Sequence, residues 1–144
     1  MEKKSVLVID DDQDVLDLVS AILEAEGYDV ELAATEDEVL ERLTGGGQYD
    51  LIVTDVWMPW MSGLQVAHFA ELAGHRTPIL FMSGFADPSL EQRVKIFGEH
   101  ARLLRKPFDD EALLGAIDDV LYPDERRQPK KTFSSTSASS RSGS

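Results

Sequence analysis

Val6-Leu7-Val8-Ile9-Asp10-Asp11-Asp12 opens the first structural unit of the chain: four consecutive apolar residues are followed by three carboxylates. The apolar run predicts a buried strand. Downstream, Val15, Leu18, Val19 and Ile22 recur at the i, i+3, i+4, i+7 spacing of an amphipathic helix. This part of the sequence therefore predicts a strand that leads into a helix, with the carboxylates at the junction.

The same alternation of strand and helix recurs four more times along the chain. Further strands are predicted at residues 30–33, 51–54, 79–82 and 103–104, and helical patterns at residues 39–43, 64–72, 90–97 and 113–121. Strands that are apolar throughout are typical of a parallel sheet with helices on both faces. With right-handed crossovers, we predict an α/β, doubly wound, five-stranded parallel sheet with five helices.

The composition fits a single globular domain. The chain has 144 residues, of which 42% are hydrophobic and 28% are charged, which is ordinary for such a domain. Because there are no cysteines, disulfides and thiolate metal sites are excluded. The apolar run near the start is too short for a signal peptide, and no run reaches the roughly 18 residues of a membrane span. We therefore expect no membrane span and a cytoplasmic location.

The charge of the chain is acidic and unevenly distributed. A net charge of −13 argues against nucleic-acid binding through a broad electrostatic footprint. Five of the 14 Lys and Arg residues, but two of the 27 Asp and Glu residues, lie at positions 122–144, so this tail carries +3 and the first 121 residues carry −16. The Ser-rich tail has too few apolar residues to order itself. We expect a domain at residues 1–121 and a disordered tail or truncated linker at residues 122–144.

Polar side chains follow four of the five predicted strands. Asp10 and Asp11 follow the first strand, Asp55 the third, Ser83 the fourth and Lys106 the fifth. Ligands of doubly wound folds bind beyond the carboxyl ends of the strands, so we expect these side chains to converge. Neighbouring carboxylates repel each other unless a cation compensates them. Mg²⁺ takes carboxylate oxygens as ligands and commonly bridges them to a phosphate.

This set of groups suits phosphoryl transfer. A divalent cation, an ammonium and a hydroxyl can together neutralise the oxygens of a transferring phosphoryl group, and a carboxylate can accept that group as an aspartyl-phosphate. Asp55 stands alone at the end of its strand and is the candidate nucleophile. Asp12 is interpreted instead as the N-cap of the first helix.

The motifs at these strand ends resemble the receiver domains of bacterial response regulators, and they keep that family's order over residues 4–121. The matching segments are the acidic pair Asp10-Asp11, the acceptor loop Asp55-Val56-Trp57-Met58-Pro59-Trp60-Met61-Ser62-Gly63, the switch position Ser83-Gly84 and the signature Lys106-Pro107-Phe108. The resemblance implies a CheY-like, flavodoxin-like sheet with strand order 2-1-3-4-5.

The resemblance also implies a signalling role centred on the acceptor. Asp55 would receive a phosphoryl group from a histidine kinase or a histidine phosphotransfer protein and thereby switch a protein–protein interaction. Asp10, Asp11, Asp55 and the backbone carbonyl of Trp57 would hold Mg²⁺. The protein would not be an enzyme in the usual sense, because it would catalyse only its own phosphorylation and dephosphorylation.

Lys106 and Ser83 would contact the acceptor and its phosphoryl group, and the Lys106–Pro107 peptide bond would be cis. Receivers usually carry Tyr or Phe three residues before the lysine, where this chain has Leu103. Phe85, two residues after Ser83, is the candidate replacement for that aromatic. The downstream partner is left open, as is whether the receiver stands alone or belongs to a hybrid kinase or a longer regulator.

Two other functions fit parts of the sequence. Asp10 and Asp12 match the spacing of the nucleophile and the acid/base residue of haloacid dehalogenase-type phosphatases, which would make Asp10 the modified residue. Such enzymes have no counterpart to the loop that begins at Asp55. A phosphorylation-independent pseudo-receiver is the other alternative, and the intact carboxylates and Lys106 argue against it. The residue that becomes phosphorylated distinguishes the three functions.

Overall fold

Five parallel strands and five helices make up the described part of the chain, which in this computed structural model comprises residues 3–85 and 87–123. The strands are β1 (Ser5–Ile9), β2 (Asp29–Ala33), β3 (Leu51–Asp55), β4 (Ile79–Ser83) and β5 (Ala101–Arg105). The helices are α1 (Gln13–Ala25), α2 (Glu36–Thr44), α3 (Gly63–Leu72), α4 (Pro88–Lys95) and α5 (Asp110–Leu121). The strands pair in the order β2-β1-β3-β4-β5. The predicted doubly wound α/β fold and its strand order are confirmed.

The sheet separates two layers of hydrophobic core. Side chains alternate between its faces, so Ile9, Ile52 and Phe81 join one buried cluster with residues of α2, α3 and α4. Val8 and Leu80 belong to the other cluster, with residues of α1 and α5. Because both faces are covered, the three central strands β1, β3 and β4 are buried along nearly their whole length, and polar residues follow where they end.

Strand register brings those ends to the same edge of the sheet. Ile9 pairs with Thr54, and Asp55 pairs with Met82. At the neighbouring edge strand, Ser83 pairs with Arg105. The residues that immediately follow β1 and β5 therefore lie beside the last residues of β3 and β4.

Side-chain caps fix where the helices begin beyond that edge. The Asp12 carboxylate accepts a hydrogen bond of 3.0 Å from the Asp14 N–H, so its predicted role as the N-cap of α1 is confirmed. Ser62 and Gln65 form a reciprocal capping box at the start of α3. These caps end the loops that follow the acidic pair Asp10-Asp11 and Asp55.

The boundaries of β5 and α4 differ from the sequence expectation in an informative way. β5 extends over Ala101–Arg105, and the apolar pattern predicted only residues 103–104 because Arg102 and Arg105 have polar side chains. The helix predicted to reach Phe97 ends at Lys95. The Phe97 ring nevertheless packs on Phe81, with ring centroids 5.7 Å apart, so the apolar spacing reflected burial and not continued helix.

The described residues end two positions after α5. Tyr122 is the C-cap of that helix and Pro123 follows it. The expected disordered tail lies outside the described residues from position 124 onward, so the boundary at residue 121 stays a prediction. None of the helices in the described ranges has the length and apolar character that a membrane crossing requires.

Candidate functional site

Lys106 brings together two buried carboxylates from different strands. Its ammonium nitrogen lies 2.9 Å from Asp55 Oδ1 and 3.0 Å from Asp10 Oδ2. Asp10 is 1% exposed and Asp55 is 6% exposed, whereas the Lys106 side chain keeps 24% of its surface. The predicted convergence of these three side chains at the carboxyl edge of the sheet is present in the structure, and charge-assisted contacts of this length are strong.

Backbone contacts orient the lysine. The Lys106 N–H donates a hydrogen bond of 2.8 Å to the Ser83 carbonyl, which extends the pairing of β4 and β5 by one residue. The Lys106–Pro107 peptide bond is cis, as expected. The strand that carries Ser83 therefore directs the Lys106 side chain toward the carboxylates.

The carboxylates form a cluster with more negative than positive charge. Carboxylate oxygens of Asp10, Asp11 and Asp55 all lie within 4.8 Å of one another, and Asp11 is exposed. Burial raises the pKa of Asp10, and the nearby Asp55 adds to this effect although the Asp12 N–H and Lys106 oppose it. Burial likewise raises the pKa of Asp55, against the lowering influence of Lys106. One ammonium thus compensates three carboxylates incompletely.

The two neighbouring carboxylates raise the pKa of Lys106. Burial alone would lower it, but the hydrogen bonds to Asp55 and Asp10 outweigh that effect. Lys106 is therefore held in its charged form beside the two buried carboxylates.

The donor set fits a hard divalent cation. Three carboxylates within reach of one another supply oxygen ligands, and the uncompensated negative charge favours a cation over a neutral ligand. One of the three, Asp11, is open to solvent, which suits an ion that keeps several waters. The expected role of the Trp57 backbone carbonyl as a Mg²⁺ ligand stays a prediction.

Ser83 is oriented toward the loop after β4. Its side chain is fully buried, and its hydroxyl accepts a hydrogen bond of 3.1 Å from the Phe85 N–H and makes a 3.4 Å contact to the Phe85 carbonyl. The Phe85 ring is 65% exposed, and its centroid lies 6.3 Å from that of Trp57 in an edge-on arrangement. Leu103, at the usual aromatic position, is partly buried against the core.

Arg105 is a residue whose contacts the sequence reasoning missed. Its Nη1 donates to the Phe85 carbonyl at 3.1 Å, and its Nη2 lies 3.0 Å from Glu91 Oε2. The position was visible as the basic residue before Lys106, but nothing in the spacing indicated its partners. The pairing of Ser83 with Arg105 in the sheet is the structural signal that connects them.

Gly63 allows α3 to start directly against the end of β3. A Cβ atom at this position would lie 2.5 Å from the Asp55 carbonyl oxygen and 3.1 Å from Val56 Cα. We expect Gly63→Ala to destabilise the fold by about 1–3 kcal/mol, the usual range for a forced backbone shift in a packed region. Urea unfolding measures this change.

Gly115 in α5 provides the matched control, since a Cβ atom there meets nothing within 4 Å. Gly115→Ala is expected to stabilise the protein by about 0.5–1 kcal/mol through helix propensity. Equal effects of the two substitutions would contradict the steric explanation for Gly63.

Comparison with known proteins identifies relatives over this same region. A family model described as the response regulator receiver domain matches residues 6–118. The transcriptional regulatory protein DltR of Streptococcus agalactiae is 32% identical over 112 residues, which are 78% of this chain and 49% of DltR. The response regulator protein TodT of Pseudomonas putida is 35% identical over 113 residues, 78% of this chain and 48% of TodT. The chain thus spans about half the length of these curated relatives.

Among solved structures, the chemotaxis response regulator CheY4 of Vibrio cholerae is 34% identical and superposes with a TM-score of 0.71, covering 83% of this chain and all of CheY4. A CheY-like receiver domain protein from Methanospirillum hungatei is 29% identical, with a TM-score of 0.75 over 88% of this chain and all of that structure. Both neighbours share the fold over nearly the whole described region.

Proposed function

The chain belongs to the response regulator receiver domain family of two-component signalling, and on that premise we propose that it is a cytoplasmic phosphorelay receiver phosphorylated on Asp55. The donor would be a histidine kinase or a histidine phosphotransfer protein. The observation that carries this proposal is the Lys106 ammonium, 2.9 Å from Asp55 and 3.0 Å from Asp10 at the open edge of the sheet. The family match does not support the haloacid dehalogenase-type alternative, and we do not retain it.

The proposed reaction is a direct transfer to the Asp55 carboxylate. A carboxylate oxygen attacks phosphorus, an O–P bond forms, the N–P bond of the phosphohistidine breaks, and its electron pair stays on the imidazole nitrogen. Lys106 neutralises charge on the phosphoryl oxygens, and Ser83 donates a hydrogen bond to one of them. Catalysis is mainly positioning and charge stabilisation in such transfers.

Mg²⁺ is the proposed cofactor. Asp10, Asp11 and Asp55 would hold it, together with the backbone carbonyl of Trp57. The ion supplies positive charge that offsets the carboxylates and the phosphoryl oxygens. The three clustered carboxylates, two of which contact Lys106, support a site that lacks positive charge without the ion.

The proposed partners are proteins. DltR is a transcriptional regulatory protein by name, but the match to this chain covers 49% of it, and the acidic character of the first 121 residues disfavours nucleic-acid binding by the receiver itself. Phosphorylation of Asp55 would switch an interaction with a downstream protein.

Mapping the modified residue tests the proposal. We expect the protein to take up phosphate from acetyl phosphate in the presence of Mg²⁺ and to lose this ability when EDTA is added. Borohydride trapping of the acyl phosphate followed by peptide mass spectrometry should place the modification on Asp55. Modification of Asp10, or no modification at all, would overturn the proposal.

Trp57 is expected to lengthen the life of the phosphorylated form. Its side chain is 42% exposed beside the acceptor, and its ring meets that of Phe85, so the two rings restrict the approach of the hydrolytic water. Trp57→Ala should speed loss of the phosphoryl group about fivefold, equivalent to roughly 1 kcal/mol of barrier. Trp57→Phe keeps an aromatic ring and serves as the control. An unchanged rate in Trp57→Ala would show that water access is not limited there.

A further inference from the structure

The loop after β4 is held from two directions at one residue. The Ser83 hydroxyl accepts a hydrogen bond from the Phe85 N–H at 3.1 Å and lies 3.4 Å from the Phe85 carbonyl. Arg105, at the end of β5, donates to the same carbonyl at 3.1 Å. The backbone of Phe85 is therefore contacted by a side chain from the end of β4 and a side chain from the end of β5.

Arg105 also joins this point to α4. Its second terminal nitrogen lies 3.0 Å from Glu91 Oε2, in the first turn of that helix. A guanidinium can bind a carbonyl and a carboxylate at once, because its donors are arranged in a planar fork. The Arg105 contacts thus connect β5, the loop after β4 and the first turn of α4.

From this geometry we propose that Arg105 is a positioning residue that holds Ser83 in its Phe85-bound orientation and thereby opposes binding of a phosphoryl group at Asp55. The inference rests on the proposed function of Asp55. A serine hydroxyl that turns to a phosphoryl oxygen gives up its contacts with Phe85, which leaves the Phe85 N–H without that acceptor unless the loop moves. Arg105 resists that movement.

The neighbouring side chain at the usual aromatic position cannot supply this connection. Leu103 is apolar and packs against the core, so it has no group that could bind the loop. Arg105 instead makes one polar contact to the loop, at the Phe85 carbonyl, and one to Glu91 in α4. In this chain the link between β5 and the switch serine is therefore polar and lies two residues further along the strand.

A contact that stabilises the Phe85-bound orientation of Ser83 lowers the affinity for a ligand that requires Ser83 to turn away from Phe85. Beryllofluoride with Mg²⁺, a mimic of the phosphoryl group, is the probe, and calorimetry gives its dissociation constant. Arg105→Gln is expected to bind it about fivefold more tightly, as the loss of one exposed charged contact allows. Arg102→Gln is the control, because Arg102 lies on the same strand and donates to the Glu99 and Ala101 carbonyls.

The Ser83→Ala background distinguishes positioning from general loosening. Without the hydroxyl, Arg105→Gln is expected to leave the affinity unchanged, which gives a coupling between the two positions in a double-mutant cycle. Wild-type affinity or weaker binding in Arg105→Gln, or equal tightening in both backgrounds, would overturn the inference. If the wild-type protein binds no beryllofluoride, the proposed function fails and this inference fails with it.

Discussion

The Asp55→Asn substitution is expected to abolish phosphoryl uptake and, at the same time, to stabilise the unphosphorylated protein. Uptake is lost because an amide lacks the nucleophilic carboxylate oxygen. Stability rises because Asp10 and Asp55 share the Lys106 ammonium while Asp11 adds further negative charge nearby, and the change leaves Lys106 facing one buried carboxylate. The gain at neutral pH should be on the order of 1 kcal/mol, the size of a typical single-substitution effect. Phosphate labelling and urea unfolding measure the two effects.

The stability gain expected for Asp55→Asn should depend on pH. Burial raises the pKa of Asp55 in the folded protein, so the folded state binds its proton more tightly than the unfolded state. Stability then falls as pH rises from the ordinary aspartate value of about 3.9 through the raised value. The advantage of Asp55→Asn should therefore be absent below about pH 3.9 and complete at neutral pH.

Asp29 provides a matched aspartate outside the cluster. It is exposed on β2, so Asp29→Asn is expected to change neither uptake nor stability. A stability gain in Asp55→Asn that is as large in acid as at neutral pH would contradict the electrostatic explanation.

The convergence of the site could be predicted from sequence because it follows from topology. Asp10, Asp55 and Lys106 each follow a strand, and parallel strands end at one edge of the sheet. No side-chain detail was needed for that step. The N-cap at Asp12 was equally accessible, because a cap depends on residues two positions apart.

Contacts that depend on side-chain conformation could not be predicted in this way. The direction of the Ser83 hydroxyl is set by the turn of the chain at Phe85, and the partners of Arg105 lie 14 and 20 residues away. His75 is 7% exposed, and its ring lies 2.7 Å from the Leu43 carbonyl, although no apolar pattern includes it. The Arg105 and His75 contacts depend on packing between distant segments, and the Ser83 contact depends on the local turn of the backbone, so periodicity and spacing do not predict them.

The Lys106→Met substitution is expected to have the second large effect, a loss of both stability and phosphoryl uptake. Methionine keeps much of the apolar stem but removes the charge that compensates Asp10 and Asp55 at 3.0 and 2.9 Å. Breaking a buried pair by removing one partner costs about 3–5 kcal/mol. Because 24% of the Lys106 side chain is exposed, solvent screens part of the charge, and we expect about 2 kcal/mol at neutral pH. Uptake should fall at least about tenfold, through loss of charge stabilisation.

The pH profile separates this electrostatic loss from a packing defect. The pKa of Lys106 is raised in the folded protein, so its stabilisation is complete below the ordinary lysine value of about 10.4 and is lost as pH rises through the higher folded value. Lys106→Met should not show this loss of stability at alkaline pH. It should instead lose stability more steeply than the wild type above about pH 3.9, where the uncompensated carboxylates ionise.

Lys4 is the matched control for that profile, because it is an exposed lysine just before β1. Lys4→Met is expected to keep the wild-type dependence on pH, with any change in stability within about 0.5 kcal/mol. If the curves for Lys106→Met and the wild type run parallel from acid to alkaline pH, the loss comes from packing and not from charge. A steeper loss of stability above about pH 3.9 that is confined to Lys106→Met would instead assign the loss to the ionised carboxylates of Asp10 and Asp55.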